Sequence, residues 1–187
     1  MKFLKSLEGK KIGGLKYLIV LTGGILLRFI PFRAPNLEPI MAATMPLAKK
    51  YGRLSGFSFG FLSMILFDFF DGKVGAWTWV TAVAYGLIGL AAYSFFKNKQ
   101  NRPLNYLAFS VVGTIVYDAL TGLTVGPIFF HQPFMVALIG QIPFTLIHLA
   151  GNSVLALAVS PLIYRWLVLN PKLETQKSKN YLAIDQL

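Results

Sequence analysis

The sequence has no cysteine and few charged residues, and each shortage excludes a class of protein. Without cysteine there can be no disulfide, no thiolate metal site and no thiol nucleophile. Charged residues make up only 13% of the 187 residues, whereas soluble domains carry about 25%. Hydrophobic residues reach 55%, and the mean hydropathy is +0.59. This composition predicts a chain surrounded by lipid rather than by water.

Motifs for catalysis are missing as well. No G-x4-G-K-[ST] phosphate loop is present, which excludes nucleotide hydrolysis by that route. Neither H-E-x-x-H nor G-x-S-x-G occurs, and His131 and His148 have no third metal ligand near them in sequence. We therefore predict no catalytic residue, no metal, no cofactor and no enzymatic activity.

A net charge of +11 could indicate a nucleic-acid partner, but the distribution of the charge argues against it. The basic residues are spread over short segments between long apolar runs. No basic patch is interleaved with aromatic residues, so we predict no nucleic-acid binding.

Long apolar runs give the architecture. A helix rises 1.5 Å per residue, so crossing a hydrocarbon core of roughly 30 Å takes about 20 residues. A shorter run at 37–48 contains Pro39 and Pro46 and predicts a short second helix. Four runs qualify as full spans: 15–30, 54–70, 76–96 and 104–125.

The last apolar run, 134–169, is too long for one crossing and too short for two. Pro133 and Pro143 predict an interfacial lead-in, followed by a kinked helix from about residue 143 to 166. The fold class is therefore an all-α integral membrane protein with six transmembrane helices, which form one membrane domain over residues 15–169.

The basic residues predict the orientation of the helices. All but three of the 18 lysines and arginines fall on one side of the six spans, the exceptions being Arg28, Arg33 and Lys73. The positive-inside rule then places both termini in the cytoplasm, as a basic segment at 1–14 and a tail at 170–187. We expect a multi-pass protein of the inner (plasma) membrane, whose first apolar run is retained rather than cleaved.

Two acidic residues fall within matching segments, 50 residues apart. Phe67-Asp68 and Tyr117-Asp118 both begin the pattern aromatic-Asp-x-x-polar-Gly. The match indicates either a parallel duplication or similar composition. In both cases we expect Asp68 and Asp118 at similar depth, about one turn from the outer helix ends. They either cap a helix end or pair with Arg28 or Arg33, or they line a ligand cavity.

Other polar and aromatic residues are candidates for the same cavity. Arg33, Asn36 and Glu38 lie in an outer loop made stiff by three prolines between residues 31 and 39. Trp77, Trp79, Tyr85 and Tyr117 could stack on a flat ring, and an interfacial aromatic belt explains Trp77 and Trp79 as well. Gln141, Thr145, His148 and Asn152 share one helical face, which predicts interhelical hydrogen bonds or a cavity lining.

Small residues at a spacing of four predict close helix packing. Gly56 and Gly60 form one such pair, and Ala82 and Gly86 form another. They either pack within the chain or dock a partner helix.

Four motifs follow one another along the chain: Pro35-Asn-Leu-Glu-Pro39, Asp68-x-x-Asp-Gly-Lys-Val-Gly-Ala-Trp-Thr78, Tyr85-Gly-Leu-Ile-Gly89 and Pro143-Phe-Thr-Leu-Ile-His-Leu-Ala-Gly-Asn152. With these motifs, the stretch from about residue 15 to 166 resembles a substrate-binding S component of energy-coupling factor (ECF) transporters. The resemblance implies a vitamin or related micronutrient as substrate, with a membrane coupling subunit and ATPase subunits as partners. It also implies a pocket approached by Arg33, Asn36, Asp68, Trp77, Asp118, His148 and Asn152.

The first helix departs from the family pattern. Several members carry an Ala-x3-Ala docking motif there, whereas this chain offers only glycines, at positions 13, 14, 23 and 24. The docking surface therefore stays open at this point. The alternative function is a membrane scaffold or assembly protein that binds partner helices and no small molecule.

Overall fold

The computed structural model describes residues 14–31 and 37–173, and this part of the chain is helical throughout apart from its connections. A π-helical segment, Ile163–Val168, continues the last α-helix, and a short 3-10 turn, Pro171–Leu173, follows it. The predicted all-α class is confirmed. The α-helices are α1 (Gly14–Arg28), α2 (Pro39–Tyr51), α3 (Arg53–Phe70), α4 (Ala76–Phe96), α5 (Pro103–Phe129) and α6 (Phe134–Leu162).

Four helical stretches of the described residues are long and apolar enough to cross a membrane. They are α3, α4, α5 and α6 together with its π-helical extension, and they contain 18 to 35 residues each. Large apolar side chains such as Leu104, Val112 and Ile139 lie exposed on them, as expected of surfaces that face lipid. These spans make the chain a multi-pass membrane protein.

The short second helix is confirmed, and α2 lies at the centre of the bundle. Its residues from Ile40 to Ala48 are all buried, and it contacts every other α-helix of the described chain. A helix that is apolar on all sides needs such surroundings. Pro39 stands at its start, where a missing N–H costs nothing.

A proline within α2 ties this helix to α6. Pro46 has no N–H, so it cannot donate to the Ala42 carbonyl four residues earlier. The Ser160 hydroxyl of α6 donates to that carbonyl instead, at 2.9 Å. A backbone acceptor left open by the sequence of α2 is thus satisfied by a neighbouring helix.

Small residues bring α3 and α4 together. A Cβ atom on Gly60 would lie 2.5 Å from the Tyr85 carbonyl oxygen, and one on Gly86 would lie 2.6 Å from the Phe57 ring. Gly56 makes a similarly close approach to Gly89. Of the two uses that the sequence left open, Gly56 and Gly60 serve packing within the chain.

The ends of α5 and α6 differ from the prediction. α5 continues to Phe129 rather than ending near residue 125, and α6 begins at Phe134 with no separate lead-in. Pro127 and Pro143 lie inside these helices, where packed membrane helices tolerate proline. The predicted interfacial lead-in was therefore wrong, because Pro143 does not begin a helix.

Candidate functional site: a buried polar seam between α5 and α6

Asp118 and His148 form a buried pair between α5 and α6. Asp118 Oδ1 and His148 Nδ1 lie 2.8 Å apart, and the side chains are 1% and 2% exposed. When Asp118 is ionised, its carboxylate accepts this hydrogen bond from the Nδ1–H of His148. The pair lies eleven residues before the end of α5, which is about 16 Å along the helix axis.

Further hydrogen bonds extend this pair along the two helices. Asn152 Nδ2 donates to Thr114 Oγ1 at 2.9 Å, and Ser110 Oγ donates to the Asn152 carbonyl at 3.2 Å. Ser110, Thr114 and Asp118 recur every four residues on α5, as His148 and Asn152 do on α6, so each set lies on one helical face. We call these five residues the α5–α6 seam. Interhelical hydrogen bonding accounts for part of the polar stripe that the sequence predicted.

Several polar atoms of the seam have no hydrogen-bond partner although they are buried. They are Asp118 Oδ2, His148 Nε2 and Asn152 Oδ1. The Tyr85 hydroxyl of α4 and Glu38 Oε2, just before α2, are in the same condition. A buried polar atom without a partner costs roughly 1–3 kcal/mol. Five of them are a reason to look for a ligand that would satisfy them.

Aromatic rings connect Tyr85 to the seam. The Tyr85 and Tyr117 ring centroids lie 4.5 Å apart, and Tyr117 meets the His148 ring edge-on at 6.3 Å. Phe144 lies 5.8 Å from His148 on its own helix. The Tyr85–Tyr117 contact joins α4 to α5, and α2 contacts both of these helices.

Glu38 is held in place by Arg28. The Arg28 Nη2 atom lies 2.9 Å from Glu38 Oε1, and both side chains are mostly buried. The Arg28 guanidinium also lies 3.6 Å from the centroid of the Phe67 ring. Arg28 therefore pairs with Glu38, and not with Asp68 or Asp118 as one reading of the sequence had it.

Asp68 has a structural role at the connection between α3 and α4. Thr78 Oγ1 donates to Asp68 Oδ2 at 2.6 Å and accepts from the Gly75 N–H at 3.0 Å. The Lys73 N–H donates to the Asp68 carbonyl at 2.9 Å. These contacts match the helix-capping interpretation.

The prediction that both aspartates lie about one turn from a helix end was wrong for Asp118. Asp68 lies two residues before the end of α3, whereas Asp118 lies eleven residues before the end of α5. The turn that ends α3 follows Asp71, but Thr121 and Gly122 of the matching segment remain helical. The two segments are similar in sequence and differ in local structure.

The structure brings three of the predicted site residues together: Asp118, His148 and Asn152. Trp77 is half-buried near the start of α4, with its ring 5.6 Å from that of Phe130. Gln141 and Thr145, predicted on the same face as His148, are joined to each other by a hydrogen bond of 3.2 Å. Arg33 and Asn36 lie outside the described residues.

Two residues of this region were not predicted as site residues. Glu38 was noted only as a polar residue of a rigid loop, although it is one of just seven acidic residues in the chain. Tyr85 was noted only as a ring that could stack on a ligand; it is fully buried, and nothing in its local sequence indicates an unpaired hydroxyl. The scarcity of acidic residues was the one signal that could have singled out Glu38.

Among the residues that the structure describes, no three histidine, cysteine, aspartate or glutamate side chains lie close enough together to hold a metal ion.

A helical membrane bundle with unpaired polar atoms in its interior has the features of a solute-binding membrane protein. A family model described as "ECF-type riboflavin transporter, S component" matches residues 18–165. The chain therefore belongs to this family of transporter components, which is not an enzyme family.

Family membership confirms the resemblance seen in the sequence and, with it, a role in membrane transport. No curated protein and no solved structure gave a significant match. The residues of the seam all fall inside the matched range, as do Arg28, Glu38 and Tyr85.

Proposed function

We propose that the protein is the substrate-binding membrane subunit of an ECF-type importer, and that riboflavin or a vitamin of similar build is its substrate. The observation that carries the proposal is the group of buried, unpaired polar atoms on Glu38, Tyr85, Asp118, His148 and Asn152. The family name supports riboflavin as the first substrate to test.

The aromatic and polar composition of this region suits a flat vitamin. Tyr85 and Tyr117 offer ring faces beside the Asp118–His148 pair, and ring stacking adds to the burial of an aromatic ligand. The unpaired atoms would hydrogen-bond the ligand's polar edge or side chain. A ligand that binds only the folded chain also stabilises it, which offsets the cost of the unpaired atoms.

The importer's other subunits would supply the energy, since this chain has no phosphate-binding loop. In this proposal the chain crosses the plasma membrane six times with both termini in the cytoplasm. The Arg28–Glu38 pair then lies toward the outer face, and α1 begins at the cytoplasmic face. The coupling subunit and the ATPases are the partners.

A groove beside α1 is our proposed docking surface for the coupling subunit. It encloses about 390 Å³ between α1, α2 and the end of α6, and it is almost wholly apolar. Val20, Gly23 and Leu27 line it from α1, and Trp166 and Leu167 line it from the π-helical segment. A partner helix could approach α1 closely there because glycine has no side chain.

Ligand binding by the purified protein tests the proposal. Riboflavin fluorescence should be quenched in a saturable way with a stoichiometry near one, and Asp118→Ala should abolish the quenching. Asp71→Asn is the matched acidic control, because Asp71 pairs with Lys73 on the exposed α3–α4 connection. If the intact protein retains no small molecule in native mass spectrometry and quenches no vitamin, a membrane scaffold becomes the better description.

A further inference from the structure

Lys16 is a buried lysine near the start of α1, and its amino group contacts the end of the π-helical segment. Its side chain is 2% exposed, and Nζ donates to the Val168 carbonyl at 3.0 Å. Val168 is the last residue of that segment and is fully buried. The last carbonyls of a helix have no donor within the helix, and a lysine side chain is a suitable partner for them. One hydrogen bond therefore joins two helical segments that lie 152 positions apart in sequence.

A second lysine contacts the same segment from α2. Lys49 Nζ lies 4.5 Å from the centroid of the Tyr164 ring, a distance at which a cation is attracted to an aromatic face. Trp166 of the segment, by contrast, is 70% exposed. π-Helical segments are rare and frequently occur at functional sites. This one is fixed by α1 and α2 and still presents a large aromatic side chain at the surface.

The groove proposed for docking depends on the position of the π-helical segment. Trp166 and Leu167 line it from that segment, and Val20 lines it from α1. Leu167 directly precedes Val168, and Val20 lies about one turn after Lys16. The hydrogen bond between Lys16 and Val168 therefore connects the two segments that line the groove.

We infer that Lys16 and Lys49 are positioning residues of the docking surface, and that they hold the π-helical segment where the coupling subunit binds against it and α1. This role rests on the proposed function and adds to it the residues that shape the groove before the partner arrives. A groove that is already formed avoids the cost of ordering its walls on binding. Neither lysine lines the groove, so their substitution leaves its lining side chains unchanged.

Methionine substitutions test this role, because methionine keeps a long unbranched side chain without the amino group. In Lys16→Met and in Lys49→Met, copurification of the coupling subunit should fall by about tenfold, since each variant loses one interaction that fixes the segment. Amide hydrogen exchange of residues 163–168 should rise in both. Riboflavin binding should be unchanged, because each lysine lies at the end of its helix away from the Arg28–Glu38 pair.

Two further variants are matched controls. Tyr17→Phe removes a hydrogen bond of 2.9 Å between α1 and Ser58 of α3, and neither residue lines the groove. Lys97→Met removes an exposed lysine at the end of α4. Both variants should leave complex formation and the hydrogen exchange of residues 163–168 unchanged.

Each result supports or overturns a different claim. Normal copurification in both lysine variants overturns this inference and leaves the proposed function standing. A loss in one of them supports the role of that lysine and overturns the role of the other, and if Lys16→Met does not fold, Lys49→Met decides alone. An equal loss in Tyr17→Phe attributes the effect to α1 as a whole and overturns the assignment to the lysines. If the unmodified protein neither copurifies with the coupling subunit nor binds riboflavin, the proposed function itself is overturned.

Discussion

Gly56 of α3 and Gly89 of α4 meet backbone to backbone: a Cβ atom on Gly56 would lie 2.3 Å from the Gly89 carbonyl oxygen. No rotamer change can relieve such a contact, because the obstructing atom belongs to the main chain. The pair fixes the distance between α3 and α4, and therefore the position of Tyr85 one turn away on α4.

Gly56→Ala should therefore destabilise the protein by about 1–3 kcal/mol, as overpacking of a tight core does. Gly140→Ala on α6 is the control, since a Cβ atom there meets nothing within 4 Å. Unfolding in mixed detergent would report both variants. Equal stability of Gly56→Ala and the control would mean that the two helices are free to separate.

Ser160 should contribute to stability because Pro46 cannot donate a hydrogen bond to the Ala42 carbonyl. Ser160→Ala removes the donor to the Ala42 carbonyl, which has no intrahelical partner, and should cost about 1 kcal/mol. Pro46→Ala restores an N–H at position 46 and gives that carbonyl a helical donor. In the double variant the loss of the Ser160 hydroxyl should cost less than it does alone. A fully additive cycle would contradict the exchange of partners.

Replacing Thr78, the hydrogen-bond partner of Asp68, tests whether Asp68 acts by holding the α3–α4 connection or by contacting the ligand. Asp68→Asn and Thr78→Val both weaken the hydrogen bond at the α3–α4 connection. If Asp68 acts by holding this connection, the two variants should lower the free energy of unfolding by a similar amount, about 1 kcal/mol each, and affect vitamin binding equally. Binding that is lost in Asp68→Asn and kept in Thr78→Val would place Asp68 in contact with the ligand.

Much of the fold could be predicted because apolar runs in this chain end at strong signals. The predicted run 76–96 coincides with α4, and 54–70 differs from α3 by one residue. Gly52 and Gly72 flank α3, and Gly75 and Lys97 flank α4. The end of α5 was missed because Gly122, Gly126 and Pro127 are typical helix-ending residues in water. Within a packed membrane bundle the same residues remain helical.

Only the part of the site that lies on a single helix could be predicted from the sequence. The spacing of His148 and Asn152 placed them on one face, and this follows from the helical period alone. Their pairing with Asp118 and Thr114 depends on how α5 and α6 come together. The burial of Tyr85 depends on α3 and α5, which contact it through Gly60 and Tyr117. Long-range packing, which no local pattern encodes, therefore determines where the polar atoms meet.

The proposed orientation can be tested by labelling single introduced cysteines, because the chain has no cysteine of its own that would react. Val74→Cys places one thiol on the exposed α3–α4 connection, and Gln100→Cys places one on the exposed α4–α5 connection. In intact cells a membrane-impermeant maleimide should label the first and spare the second. Permeabilised cells should give labelling of both. Labelling of Gln100→Cys in intact cells would reverse the topology and place both termini outside.

The last prediction concerns docking of the coupling subunit at α1. A Cβ atom on Gly23 meets nothing within 4 Å inside the chain, and Gly23 lines the apolar groove beside α6. Gly23→Leu should therefore fold and bind the vitamin normally, but it should obstruct a partner helix and lower copurification of the coupling subunit at least about tenfold. Gly140→Leu makes the same change on a face outside the groove and should leave the complex intact. Because both variants add the same side chain to an open helical glycine, a difference between them reports docking rather than folding. Normal complex formation by Gly23→Leu would move the docking surface away from this groove.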